Sequence, residues 1–89
     1  MRGEYNMELF LSGVLNGAPA TRNRHIRQAN EIQRAIYERW HRNNPWSWRR
    51  KHLAWFLTHG LEKYSKSTQY YYLLTVRLIA SRRAKTWKF

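Results

Sequence analysis

Breakers interrupt this chain at three points: Gly17-Ala18-Pro19-Ala20-Thr21, Asn43-Asn44-Pro45 and Gly60. In the runs between them apolar residues return every three or four positions, the period of a helix that buries one stripe. Four runs of this kind predict an all-α fold, a small bundle of four helices. The stretch from Trp48 to Arg77 reads as two helices meeting at one basic turn, with the remainder as their packing partner.

The clearest run covers residues 22–42, where Ile26, Ala29, Ile32, Ile36 and Trp40 form one stripe and Thr21 is placed to cap it. On its other side Arg27 and Glu31, Arg34 and Glu38, and Glu38 and Arg42 stand four apart. Each such pair contributes about 0.2–0.5 kcal/mol, so this charge reads as a solvated face, leaving Arg22, Arg24 and Arg39 unpaired. Ahead of it, residues 5–16 predict a short helix with Asn6 as N-cap, Gly17 as its end and Glu4 and Glu8 at the favourable end of the dipole.

Asn44 as N-cap and Pro45 at the first helical position start a third helix running to His59. Its core stripe is expected to be Trp46, Leu53, Phe56 and Leu57, with Trp48, Trp55 or both partly exposed. Gly60 ends it, and Ser65 caps a fourth helix that buries Tyr72, Leu73, Val76, Ile79 and Ala80. The far end of that helix is strongly basic through Arg77, Arg82, Arg83, Lys85 and Lys88, part of which simply complements the helix dipole.

Charge narrows the function. Seventeen Lys and Arg oppose five acids, all Glu, for a formal charge of +12 that no fold requires and that repels itself in the monomer. A polyanionic partner is expected, with nucleic acid first and an anionic membrane surface or an acidic protein as rivals. The 89 residues fit one domain, 1–89, and at 43% hydrophobic and 16% aromatic they are too apolar for a disordered basic tail. The absence of cysteine excludes disulfides, thiol catalysis and cysteine-ligated zinc, and fits a reducing, cytoplasmic setting. Apolar runs fall far short of the roughly 20 residues a bilayer-spanning helix needs, so no spanning segment is expected, and the leading reading has no membrane partner. The N-terminus is too short and too acidic for a signal peptide and belongs with the fold.

The residue types that carry catalysis are missing or scattered. The five glutamates lie in distant segments, no glycine-rich phosphate loop appears, and the usual triads lose their Asp and Cys members. His52 and His59 are seven apart, too far along a helix axis to share one metal, and His25 and His41 are remote. No metal, cofactor or enzymatic activity is expected. The candidate nucleic-acid contacts are Arg49, Arg50 and Lys51, then Lys66, Ser67 and Thr68, then Arg77, Arg82, Arg83 and Lys85. Cations would hold phosphates, and Ser67 and Thr68 would donate to one at a helix N-terminus. Under an RNA-binding reading, Trp48, Trp55 and the tyrosines would stack on unpaired bases.

Phe56-Leu57, the run Leu61-Glu62-Lys63-Tyr64-Ser65-Lys66-Ser67-Thr68 and the run Tyr72-Leu73-Leu74-Thr75-Val76-Arg77 together resemble the N-terminal core-binding, or SAM-like, domain of tyrosine recombinases and phage integrases. The likeness spans about half the chain. It implies a helical bundle that clamps duplex DNA, from a mobile element such as a phage, plasmid or integrative element. The family's catalytic domain, with its Arg, His-x-x-Arg and nucleophilic Tyr, would have to follow Phe89, so none of Tyr70, Tyr71 or Tyr72 is carried over as a nucleophile. The expectation is a non-catalytic DNA-binding module. Its alternatives are an RNA-binding protein or chaperone, and a small basic inhibitor of a host nucleic-acid-processing protein.

Overall fold

Met7–Leu11 opens the fold as α1, capped by Asn6, whose Oδ1 accepts from the Leu9 N–H at 3.0 Å. The structure, a computed structural model, describes residues 5–89, so the expectation for Glu4 and its neighbours lies outside the described residues. Among the described residues the elements are α1, α2 (Pro19–Trp40), a 3-10 turn (Pro45–Ser47), α3 (Arg50–His59) and α4 (Lys66–Arg82), with no strand. α2 and α4 pack along one another, and both α1 and α3 rest on that pair.

α1 is less than half the expected length, and the reason is tertiary. In a continuing helix the Phe10 carbonyl would accept from Val14, but Arg82 of α4 donates its Nε–H to it at 2.8 Å. Val14 turns back to the Leu11 carbonyl instead, at 2.9 Å, and the chain leaves the helix through Ser12 and Gly13, both weaker helix formers. α2 also begins elsewhere than expected. Pro19 occupies the first turn, Ala18 is the N-cap without a side-chain bond, and Thr21 lies inside the helix. It ends at Trp40 because His41 adopts the left-handed conformation, φ 59°, so Arg42 is outside it.

The third predicted helix is two elements. Asn44 does cap a first turn, accepting from the Trp46 N–H at 2.9 Å, but Trp48 is extended at ψ 149° and breaks the helix. That bend drives Trp48 fully inside, where its Nε1–H donates to the Arg42 carbonyl at 3.1 Å. Trp46 is left 40% exposed, the reverse of the expected assignment, while Trp55 is half-buried as expected and Leu57 is only half-buried. α3 then restarts with the Arg49 N–H donating to His52 Nδ1 at 2.8 Å. Gly60 is its C-cap with an ordinary φ of −84°, and the position favours glycine for a steric reason: a Cβ there would lie 2.8 Å from the Phe56 carbonyl oxygen and from Phe56 Cδ1. Ser65 caps α4 as expected, accepting from the Thr68 N–H at 3.3 Å.

The core draws on every helix: Met7, Phe10 and Leu11; Ala29, Ile32 and Ile36; Leu53 and Phe56; Tyr72, Val76 and Ile79, closed by Trp48 and Leu61. Ile26, Trp40 and Leu73 are half-buried at its margin. Running through it is a polar chain absent from any apolar pattern. Thr75 Oγ1 lies 2.8 Å from Gln28 Oε1 and 3.2 Å from the Tyr71 carbonyl, the two acceptors of its one proton, and 2.8 Å from His25 Nδ1. Gln33 likewise turns inward and donates to the Tyr5 carbonyl at 3.0 Å.

Candidate nucleic-acid interface

α3 and α4 are joined by the short link of residues 60–65 and run antiparallel, the start of α3 lying beside the end of α4, where Arg83 donates to the Trp48 carbonyl and Arg50 to that of Lys88. This separates the sequence-predicted contacts into two groups. Arg49, Arg50 and Lys51 lie at the same end of the bundle as Arg82, Arg83 and Lys85. Lys66, Ser67 and Thr68 sit at the other, about 24 Å away along α4 at 1.5 Å per residue. The expected arrangement, with both clusters flanking the α3–α4 turn, is therefore replaced by two groups at opposite ends.

Three of the arginines are committed to the protein itself. Arg82, besides bonding Phe10, lies against a pair of rings that meet edge to face, its guanidinium carbon 5.7 Å from the Phe10 centroid and 4.8 Å from that of Trp46. Arg83 donates to the Trp48 carbonyl and covers Trp87 at 5.4 Å. Arg50 donates through Nε and Nη2 to the Lys88 carbonyl, at 3.1 and 2.9 Å, and lies 5.3 Å from the Phe89 ring. Thr68 is half-buried and accepts from the Ser65 hydroxyl at 3.1 Å, and the Ser67 hydroxyl lies 3.4 Å from that same oxygen. These contacts tie the tail and the cap down.

Arg49, Lys51, Lys66, Arg77 and Lys85 are exposed and form no ion pair among the described residues. What links the two ends is the outer face of α4. At 100° per residue Lys66, Tyr70, Arg77 and Ser81 fall within about 60° of one another, and all four are exposed. Leu73 and Leu74 lie half-buried between them, and none of the 17 residues of α4 is acidic. The resulting stripe is cationic and hydroxyl-bearing along some 25 Å. No protein-family model matches the chain, and no curated protein or solved structure does.

The helix-two charges depart from the expected four-residue pairing: Arg34 pairs with Glu31 at 2.8 Å, three residues back, and Arg27 and Arg42 make no ion pair among the described residues. Arg24 lies over Tyr71, its guanidinium carbon 4.3 Å from the ring centroid, and the neighbouring Tyr70 is 55% exposed. Sequence reasoning did not place these three together. Its signal was the run Tyr70-Tyr71-Tyr72, whose members point 100° apart and cannot all be buried. Only Tyr72 is buried; its hydroxyl is pushed up to about 12, first by burial and then by hydrogen bonding to Tyr64, so it stays a neutral phenol.

His25 and His52 both have pKa values below the ordinary 6.5. For His25 the cause is burial, then the Arg24 charge; for His52 it is burial, then Arg42, Lys51 and Arg49. His52 Nε2 has no hydrogen-bond partner, and its ring meets Trp40 edge to face, centroids 4.7 Å apart. Among the described residues no three His, Cys, Asp or Glu side chains gather where they could hold a metal, and no helix is long and apolar enough to cross a membrane.

Proposed function

We propose that this protein is a non-catalytic nucleic-acid-binding module that clamps duplex DNA, chiefly through phosphate contacts. The observation that carries the reading is the acid-free outer face of α4, with Lys66 and Arg77 on it and Lys51, Arg49 and Lys85 beyond its C-terminal end, all exposed and free of ion pairs among the described residues. Charges left solvated in this way repel one another at a cost in stability; a polyanion neutralises them, and release of its condensed counterions drives the binding. The stripe runs the length of a rigid helix, which suits an extended strand of phosphates better than a compact acidic protein surface. The resemblance to integrase core-binding domains supports a mobile-element origin and a clamp on duplex DNA.

A second reading has its own observation. Exposed Tyr70 and Tyr71, with Arg24 lying over the latter, offer faces on which unpaired bases would lie, as RNA-binding proteins use them. Competition of duplex DNA, single-stranded DNA and structured RNA of equal length at one salt concentration separates the two. Preference for the duplex supports the clamp. Preference for structured RNA or single strands supports the stacking reading, and no binding to any of the three removes both and leaves a protein partner for the charge.

A further inference from the structure

A cleft of about 710 Å³ lies between the last turns of α4 and residues 84–89, which fold back along the helix. Its lining combines Arg77 and Lys85, the hydroxyls of Ser81 and Thr86, and the rings of Trp87 and Phe89. The wall is held in place by committed contacts: the Arg50 fork on the Lys88 carbonyl, and Arg83 against Trp87. The lining cations and hydroxyls are not committed; Arg77, Lys85, Ser81 and Thr86 make no side-chain hydrogen bond or ion pair among the described residues. Phosphate-binding groups and base-sized rings thus share one recess, whose volume is within the roughly 300–1,000 Å³ of small-molecule sites.

We infer that this cleft binds a single nucleotide, its phosphate on Arg77 and Lys85 and its base against Trp87 or Phe89. A phosphate alone would use the cations and leave the rings idle, and an apolar ligand would leave the cations unmatched. A nucleotide uses both, through ion pairing and through stacking that tolerates any base. The chemistry is common to a free nucleotide and to an unpaired nucleotide at the end of a strand. For the second source the inference rests on the duplex-binding reading, since the cleft opens at the C-terminal end of the α4 stripe and takes up where that stripe stops.

The test uses the whole protein with AMP, inorganic phosphate, a blunt DNA duplex, and the same duplex carrying one unpaired 3′ adenosine. Expected are saturable binding of AMP with perturbation of the Trp87 indole signal, much weaker binding of phosphate, and a preference of about tenfold for the overhang duplex. Trp87→Ala should abolish that preference and Trp87→Phe should keep most of it. Arg77→Gln, at an exposed position on a helix, should weaken AMP without a change in melting temperature. AMP binding without an overhang preference assigns the cleft to a free nucleotide and overturns the strand-end source. Equal binding of both duplexes with no AMP binding overturns the cleft site and leaves the clamp standing. AMP binding with no duplex binding does the reverse.

Discussion

Arg82 and Phe10 are joined across 72 residues by one hydrogen bond, Nε–H to carbonyl at 2.8 Å, that both ends α1 and fixes it to α4. A residue whose sequence context marks it as a phosphate ligand is therefore a structural tie. Arg82→Ala should lower stability by about 1–3 kcal/mol, because a half-buried carbonyl loses a charged donor and two rings lose the cation lying against them. Lysine should not restore it, lacking the planar fork. Thermal melting checks the loss; duplex titration below the melting transition should change little, and a large drop there would return Arg82 to the interface.

The two tryptophans around the 3-10 turn should respond very differently. Trp48 is fully buried, so Trp48→Ala should cost about 3–5 kcal/mol and threaten folding of so small a domain. Trp46 is 40% exposed and adds an edge contact to Phe10, centroids 5.0 Å apart, and a bond to the Tyr5 hydroxyl. Trp46→Ala should cost about 1–2 kcal/mol. Equal losses in denaturant titrations would mean that the bend at Trp48 is misplaced.

His25 and His52 are both held below 6.5 in the fold, so the unfolded chain binds protons first as the pH falls. Their contribution is fully present above 6.5 and is lost as the pH drops from there towards the lowered folded values. The melting temperature should therefore decline from pH 7.5 to pH 5. His52→Asn retains an acceptor for the Arg49 N–H, and His25→Asn can still bond Thr75; together they should flatten that decline. An undiminished slope in the double variant would assign the pH dependence to other groups.

Binding itself should be steeply salt-dependent. If about five to eight phosphates are neutralised, log affinity should fall against log salt with a slope of roughly −4.5 to −7. Neutralising Lys66 and Arg77 together should reduce the slope by about two and weaken binding by about 1–3 kcal/mol, with folding nearly intact. Arg34→Gln, which removes the pair with Glu31, should cost a few tenths of a kcal/mol in stability and spare most of the affinity. If Arg34 proves the more damaging to binding, the interface lies on α2 rather than α4.

Helical periodicity and local capping made the number, order and class of the helices legible from the chain. Asn6, Asn44 and Ser65 cap where expected, and Ala29, Ile32, Ile36, Leu53, Phe56, Val76 and Ile79 face inward, because these depend on neighbours within a turn or two. Long-range partners decided the rest. The Phe10 carbonyl found Arg82 and ended α1; the Trp48 indole found the Arg42 carbonyl and split the third helix, exchanging the roles of two tryptophans. The same holds for the interface. Composition determined that cations exceed anything the fold needs, but an arginine's sequence neighbours do not reveal whether a carbonyl 35 to 72 residues away will occupy it. Only the antiparallel packing of α3 and α4 separated Arg50, Arg82 and Arg83, which hold the tail and α1, from Lys66 and Arg77, which face solvent on one stripe.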